Sequence, residues 1–207
     1  MKAWDELADE TSVKKTVEAL KANGIESIVV ENKEEAKKKV LELIPEGAEV
    51  MTMTSVSLLE AGIEEELNSS GKYDSVKQKL ASMNRETQNS EMQKLGAAPD
   101  WALGSAHAVT EDGKVIVVSN TGSQLPAYAY GSQHVILVVG TQKIVPTQED
   151  GMKRIYEHVL PLETPRARKA YGLPEEWHSN VSKILVITKE VNPTRITIVF
   201  VKEKIGF

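Results

Sequence analysis

The chain has 207 residues, of which 25 are basic, 30 are acidic and none is cysteine, and its formal net charge is -5. The lack of cysteine excludes disulfides, thiolate metal ligands, cysteine nucleophiles and an iron–sulfur cluster held by the chain itself. Acidic and basic residues are mixed without a basic block, which argues against nucleic acid as a partner. The acidic start and the short apolar runs resemble neither a secretion signal nor a membrane span. We therefore expect a cytoplasmic protein with one domain over residues 1–207 and no membrane contact.

The first third of the chain alternates helix-like and strand-like segments. A helix that ends at Asn23, a strand at Ile25–Val30, a helix capped by Asn32 and a strand at Glu49–Met53 follow one another, and Leu58–Leu67 predicts a further helix. This β-α-β-α order requires crossover connections between parallel strands. It predicts an α/β fold with three layers and a mostly parallel sheet.

The middle of the chain is first polar and then rich in short strands. Tyr73–Leu95 predicts a helix that is interrupted near Glu86–Ser90, where helix-forming residues become fewer. Short strands are predicted at Trp101–Leu103, Ala106–Val109 and Lys114–Ser119. A glycine-containing turn joins the last two, so they are expected to form a hairpin.

The last third combines strong strand signals with a stretch rich in proline. Val135–Val139 is entirely apolar, as is typical of a strand that a parallel sheet buries on both faces. Gln148–Val159 predicts a helix, whereas the three prolines within Leu160–Trp177 predict an irregular stretch with a short helix. Strands are predicted at Lys183–Thr188 and Thr194–Val201. The second would offer an exposed apolar edge, through which a homodimer could form.

Three hydroxyl side chains, Thr54, Ser55 and Ser57, lie where the strand at Glu49–Met53 ends and the next helix begins. Free backbone N–H groups and the helix dipole favour an anion at such a position, and the hydroxyls add hydrogen-bond donors. We therefore expect these residues to bind a phosphate or a carboxylate. The alternative is that one hydroxyl simply caps the helix.

A second polar loop, formed by Asn120, Thr121, Gly122 and Ser123, follows the strand at Lys114–Ser119. Gly122 permits a positive φ, so that successive N–H groups can form a nest for an anion. In this fold class the loop is expected to approach the first one, and a small anionic metabolite would bind between them. A tight turn closed by Asn120 is the alternative.

His107 is the candidate general acid or base, because imidazole titrates near pH 7 and the residue follows a strand close to the expected cleft. Asp100 is a candidate for orienting a histidine or binding a hydroxyl, and it equally fits a turn residue. The four histidines are isolated in the sequence, so no metal is expected. No glycine-rich nucleotide motif is present, and no cofactor is expected either.

Several segments together carry a resemblance to a known family. Trp101–Gly113 is similar to that family's strand pair, and Asn120–Gln124 stands where its members often read Gly-Asn-Arg. Val135–Val145 is similar to the family's apolar strand followed by Gly-x-Asn-Lys-Ile-Val, and the closing segment Arg195–Phe207 also fits. The family that these segments resemble is the lactate-utilisation (LUD) domain family. The main resemblance covers residues 49–207, with residues 1–48 as a lead-in.

The resemblance implies a fold like that of ribose-5-phosphate isomerases, glucosamine-phosphate deaminases and coenzyme A transferases, in which sugar phosphates, acyl-coenzyme A or folates bind at strand ends. It also implies a component of lactate or organic-acid utilisation. Two alternatives stay open. One is a non-enzymatic subunit that docks on an iron–sulfur oxidoreductase, and the other is a transferase or isomerase that acts on a coenzyme A ester or a sugar phosphate. The residues leave open whether the protein is an enzyme.

Overall fold

The computed structural model describes residues 4–207. Within this range the strands are β1 (Glu26–Val30), β2 (Glu49–Thr52), β3 (Asp74–Ser75), β4 (Trp101–Gly104), β5 (Ala108–Thr110), β6 (Val115–Ser119), β7 (His134–Gly140), β8 (Ile144–Val145), β9 (Lys183–Ile187) and β10 (Ile196–Val201). The α-helices of the same range are α1 (Glu10–Ala22), α2 (Lys33–Leu43), α3 (Val56–Glu60), α4 (Ile63–Ser69), α5 (Val76–Ser82), α6 (Arg85–Ala97), α7 (Gln148–Arg154) and α8 (Leu160–Tyr171). None of these helices is long and apolar enough to cross a membrane.

Six strands form a parallel sheet in the order β1-β10-β7-β4-β2-β3. Its central strands are apolar on both faces, because helices cover one face and a second sheet together with α1 covers the other. The alternation along β7 shows this directly. Ile136 and Val138 pack into a core with residues of α2, α3 and α4, whereas Leu137 and Val139 pack into a core on the opposite face. The predicted α/β class with a mostly parallel sheet is confirmed.

A smaller sheet of four strands, in the order β8-β5-β6-β9, packs against the opposite face of the six-stranded sheet. The predicted hairpin forms its centre, with β5 and β6 antiparallel. The chain passes between the sheets four times, and it leaves the large sheet twice: β4 leads into β5, and β7 leads through the 3-10 turn Thr141–Lys143 into β8. Since β4 pairs with β7 and β5 pairs with β8, the two connections run side by side. The sequence did not indicate this second sheet as a separate layer.

Two residues that the sequence marked as possible helix caps, Asn32 and Ser55, cap α2 and α3 in the structure. Asn32 accepts a hydrogen bond from the backbone N–H of Glu35 at 2.9 Å, as an N-cap does. The Glu35 carboxylate reaches back to the backbone N–H of Glu31 at 3.0 Å, one residue before the partner that a capping box would use. Ser55 caps α3 by accepting from the N–H of Leu58 at 3.4 Å.

Two predicted helices are divided in the structure. The helix predicted at Leu58–Leu67 is broken at Gly62, which adopts a left-handed φ of 62° and separates α3 from α4. The long polar helix is divided into α5 and α6 by a break near Met83. Within α6, Gln88 departs from helical geometry, inside the interruption that was predicted at Glu86–Ser90.

The prediction of an irregular stretch with a short helix over Leu160–Trp177 holds for the residues after Tyr171, but the helix before them is longer than expected. Residues Leu160–Tyr171 form the helix α8, which continues from α7 through the π-helical turn Ile155–Val159. Pro161 directly follows the π-helical turn and Pro165 lies one turn further on, so both prolines lie within a continuous helical run. Packing of the helix face, where Ala167 is 2% exposed, outweighs the weak helix propensity of proline.

The prediction of an exposed edge at Thr194–Val201 was wrong. β10 lies between β1 and β7, with hydrogen-bonded neighbours on both sides. The edges are β1 and β3 in the large sheet and β8 and β9 in the small one. A homodimer therefore stays a prediction, but β10 cannot form its interface by strand pairing.

Candidate functional site

Three segments meet at the carboxyl ends of β2, β4 and β7. Ser57 follows β2 and opens α3, Ser105 follows β4, and Lys143 follows β7. Ser105 and Lys143 lie in the two connections that run side by side from the large sheet to the small one. Ligands of parallel α/β sheets commonly bind just beyond the carboxyl ends of the strands.

The three side chains contact one another through their polar atoms. Lys143 Nζ donates to Ser57 Oγ at 3.0 Å and to Ser105 Oγ at 3.1 Å, and the two hydroxyl oxygens are 3.3 Å apart. We call these residues the Ser–Lys–Ser cluster. Ser57 is 1% exposed and Lys143 is 2% exposed, whereas Ser105 is only partly buried. Ser105 is thus the member of the cluster that keeps contact with solvent.

Burial of the Lys143 amine lowers its pKa to about 7, because the charged form loses its hydration. The positive charge of Arg154 lowers this pKa further, and the carboxylate of Glu60 opposes the change. At neutral pH a large fraction of Lys143 is therefore an uncharged amine, unlike a lysine on the surface.

Arg154, the last residue of α7, is a second buried cation close to this cluster. Its side chain is fully buried, and its Nη1 donates to the carbonyl of His107 at 2.7 Å while Nε donates to the carbonyl of Trp4 at 3.3 Å. Nη2 has no hydrogen-bond partner among residues 4–207. Burial lowers the pKa of Arg154 to about 10, so the guanidinium still carries its charge at neutral pH.

The carboxylates that act on these cations lie at the surface. Glu60 acts on Lys143 and is exposed, and Asp5 acts on Arg154 while its side chain is 40% exposed and pairs with Lys204. A buried charge is costly unless a partner compensates it. The interior around the cluster therefore has a positive charge that an anionic ligand would compensate.

His107 lies beside the cluster and holds the hairpin in place. Its Nδ1 accepts a hydrogen bond from the backbone N–H of Val118 at 3.2 Å. Although the residue keeps some exposed surface, burial of the ring lowers its pKa to about 3, with further lowering by Lys143 and Arg154. A histidine of this kind is neutral at pH 7 and is a weak base. Its predicted catalytic role stays a prediction, and the structure shows a fixed backbone contact.

The segment after β10 covers the cluster. Gln142 Nε2 donates to the carbonyls of Ile205 at 2.9 Å and Gly206 at 3.3 Å, and the N–H of Gly206 donates to Glu60 Oε2 at 2.8 Å. Ser57 Oγ lies 3.4 Å from the carbonyl of Ile205. These contacts hold residues 202–207 across the carboxyl ends of β2, β4 and β7. We call this segment the covering tail.

The residues of the first predicted loop have three different environments. Ser57 belongs to the Ser–Lys–Ser cluster, and its role in ligand binding stays a prediction. Ser55 caps α3, which matches the alternative interpretation for this loop. Thr54 is exposed on the connection between β2 and α3.

Asp100 lies at the other end of the sheet. It precedes β4, whose four residues separate it from Ser105. Its backbone carbonyl accepts from the N–H of His134 at 3.0 Å, and the His134 ring stacks on Trp101 with a centroid distance of 4.1 Å. The structure therefore does not bring Asp100 to the cluster.

The second predicted loop lies at the end of β6 in the small sheet. Gly122 has a φ of 87°, as expected, and its N–H donates to Ser119 Oγ at 2.8 Å. Asn120 accepts from Ser182 at 3.2 Å, and Thr121 and Ser123 bond to each other at 3.2 Å. The polar groups of this loop thus bond to the loop itself and to the segment before β9. Its role in ligand binding stays a prediction.

Sequence reasoning missed Ser105, Lys143 and Arg154 as site residues. One signal for Lys143 was present: it stands between the apolar run Val135–Val139 and the apolar pair that forms β8. A lysine inside a stretch that is otherwise buried is rare unless its amine has partners. Arg154 gave no comparable signal, because it occurs in a polar helix with ordinary spacing. Among residues 4–207 no group of three or more His, Asp or Glu side chains is arranged to hold a metal ion.

The fold and the cluster define an α/β protein with a polar site at the carboxyl ends of parallel strands. A family model described as the LUD domain matches residues 13–201, and the chain belongs to this family. The chain is also similar to a solved structure described as a DUF162 family protein from Deinococcus radiodurans, with a TM-score of 0.58 and 14% sequence identity over 95% of this chain and 99% of that chain. At that identity the likeness shows the fold alone. No curated protein matches the chain.

Proposed function

We propose that the protein binds a small anionic metabolite at the Ser–Lys–Ser cluster and serves in the cytoplasmic utilisation of lactate or a related organic acid. The observation that carries the binding proposal is the buried Lys143 amine, which two serine hydroxyls hold and whose pKa the charge of the buried Arg154 guanidinium lowers. The link to organic acids rests on the resemblance to the lactate-utilisation family.

The chemistry of the cluster suits a carboxylate or a phosphate. Such a ligand offers several acceptor oxygens, and the ammonium, the two hydroxyls and a guanidinium offer matching donors. A bound anion would also offset the cost of keeping two cations in the interior, and it would hold Lys143 in its charged form by raising the pKa of the amine. Binding should therefore take up a proton near neutral pH.

A thermal-shift panel tests this proposal. Lactate, pyruvate, acetate, inorganic phosphate, a sugar phosphate, a folate and coenzyme A are added in turn to the full chain. A ligand at 100 times its dissociation constant stabilises the folded state by about 2.7 kcal/mol, which raises Tm by several degrees for a chain of this size. We expect at least one carboxylate or phosphate to produce such a rise.

Lys143→Met and Lys94→Met form the matched pair for this test. Both remove one lysine charge, but Lys94 is an exposed residue of α6. The Tm rise should be absent in Lys143→Met and unchanged in Lys94→Met. Equal rises in the two variants would place the anion elsewhere and contradict the proposal, as would a flat response of the folded wild type to the whole panel.

The same experiments separate the two alternatives from anion binding. Response to coenzyme A or a sugar phosphate alone would select the transferase or isomerase alternative. The carboxylates of the hairpin turn are poor nucleophiles for that chemistry, because Glu111 is paired with Lys15 at 2.8 Å and Asp112 with Lys114 at 2.7 Å. No response to any anion, together with copurification of an iron–sulfur oxidoreductase from the native host, would select the docking subunit.

A further inference from the structure

We propose that the Ser–Lys–Ser cluster is also a catalytic set for acyl transfer or hydrolysis, in which Ser105 is the nucleophile, Lys143 the general base and Ser57 the residue that positions the amine. The substrate class is a small ester or thioester whose acyl or leaving group carries a negative charge. This activity deepens the proposed function and rests on it for recognition of the charged part of the substrate, which Arg154 would bind so that the Lys143 amine stays uncharged and can act as the base.

The geometry assigns the nucleophile. A nucleophilic hydroxyl must lie within hydrogen-bond reach of its base, and Ser105 Oγ is 3.1 Å from Lys143 Nζ. Ser57 Oγ is equally close to the amine at 3.0 Å, but Ser57 is 1% exposed and lies under the covering tail. Ser105 keeps exposed surface, so it is the hydroxyl that a substrate can reach.

Ser57 completes the set as the positioning residue. It contacts both the amine and Ser105 Oγ, the latter at 3.3 Å. A fixed third group that orients the base is the general feature of nucleophile–base pairs, including those that use serine and lysine. The arrangement needs no histidine. This agrees with the structure, in which His107 Nδ1 already accepts a hydrogen bond from a backbone N–H.

The environment of the amine suits a base at neutral pH. The charged and titratable groups that act on or are coupled to Lys143 are Arg154 from α7, Glu60 from α3, His107 from the hairpin and His158 from the π-helical turn. Burial and Arg154 favour the uncharged amine, and Glu60 opposes them. About half of such an amine is unprotonated at pH 7, against roughly 0.04% of an ordinary lysine.

The reaction balances without any cofactor. The Ser105 hydroxyl gives its proton to the neutral Lys143 amine while Oγ forms a bond to the acyl carbon. The bond from that carbon to the leaving oxygen or sulfur then breaks, and the leaving group takes the proton from the Lys143 ammonium. A water molecule, or another hydroxyl or thiol acceptor, attacks the acyl-serine in the same way and releases the acid or the transferred acyl product.

A fluorophosphonate probe tests the nucleophile on the full chain. The probe forms a bond between phosphorus and the serine oxygen and releases fluoride, so the adduct appears in the intact mass and is located by peptide mapping. We expect one adduct per chain, on Ser105. The labelling rate of the wild type should rise about tenfold per pH unit below pH 7 and level off above it, as deprotonation of Lys143 requires.

Four variants complete the test. Ser105→Ala should lose the adduct, Lys143→Met should label about 100-fold more slowly, and Ser57→Ala about tenfold more slowly. Ser90→Ala is the matched control, because it removes an exposed serine of α6 and should leave labelling unchanged. Hydrolysis of the mono-p-nitrophenyl ester of succinate, whose acyl group carries a carboxylate, should follow the same order.

The wild type alone can overturn the inference, so the result does not depend on the folding of a variant. Absence of an adduct on Ser105 in folded protein, or a rate that does not change between pH 5 and 9, would remove the catalytic set. If anions still raise Tm in that case, the proposed function survives. If Ser105 is labelled but no anion raises Tm or slows the labelling, the anionic substrate class is wrong and the proposed function fails with it.

Discussion

The buried amine of Lys143 couples the stability of the protein to pH. In the unfolded chain a lysine has a pKa of about 10.4, and in the folded protein burial lowers this value to about 7. Between these values the unfolded chain binds more protons than the folded one. The contribution of Lys143 to stability therefore rises with pH across this window and is at its lowest below pH 7.

Lys143→Met removes this dependence. Methionine carries no charge, so the variant avoids the loss of stability that the wild type suffers at low pH. The free energy of unfolding of the variant minus that of the wild type should therefore be about 3 kcal/mol more positive at pH 6 than at pH 9.5. Urea denaturation at both pH values measures the difference. Lys94→Met should show no comparable change with pH, and a Lys143→Met difference that is constant between the two pH values would contradict the lowered pKa.

Single residues were predictable where their partners are close in sequence. Asn32 was identified as a cap because the N–H that it accepts is three residues away. Ser57 was singled out because it opens a helix after a strand. Lys143 was not identified, since its partners Ser57 and Ser105 are 86 and 38 residues away in the chain. Spacing in the sequence carries no information about contacts of that range.

At the scale of elements, the covering tail ties the end of β10 to the cluster. Gly206 has a φ of 59°, and a Cβ at this position would overlap Ser57 Oγ and lie 3.1 Å from Lys143 Nζ. The tail can pass this close to the cluster because the residue is glycine, which has no side chain and adopts a positive φ at little cost.

Gly206→Ala and Gly172→Ala separate the cost of a positive φ from the cost of an overlap between the added Cβ and the cluster. Both glycines have a φ near 60°, but a Cβ at Gly172 would have nothing within 4 Å. Each variant should lose about 1–2 kcal/mol from the strained backbone, and Gly206→Ala should lose about 1–3 kcal/mol more from the overlap. Chemical denaturation gives both values. Equal losses would show that the tail does not lie against the cluster.

The order of elements could be predicted from the sequence, but the arrangement of some could not. Alternating helix and strand signals and the apolar run of β7 correctly indicated a parallel sheet. The length of α8 was underestimated because proline lowers local helix propensity, whereas burial of one face stabilises the helix from outside. β10 was taken for an edge because an apolar strand carries no mark of how many neighbours it has.

At the scale of the whole molecule, the two sheets share one core. Val135 and Phe200 from the large sheet pack in the same cluster as Val115, Val117 and Ile187 from the small one. The chain also passes between the sheets four times, and two of these connections carry Ser105 and Lys143. We therefore propose that the protein folds as a single domain.

Unfolding should then be one cooperative transition. Trp101 reports on the large sheet, and Trp4 packs beside the core of the small sheet. Two variants, each with one of these residues as its only tryptophan after replacement of the other and of Trp177, report on the two sheets separately. In each variant the midpoint by fluorescence should agree with the midpoint of the same variant by circular dichroism. A separate, earlier midpoint for Trp4 would show that the small sheet unfolds independently.

The sequence by itself determined the class of the fold, the order of most elements, the helix caps and the family, because these depend on spacing and local composition. The tertiary structure decided which strands are neighbours, how two sheets share a core and which polar residues meet at the strand ends. The Ser–Lys–Ser cluster belongs to the second group. It exists because β4 and β7 are paired and leave the large sheet together, which places a serine and a lysine 3.1 Å apart in an interior that lowers the pKa of the amine.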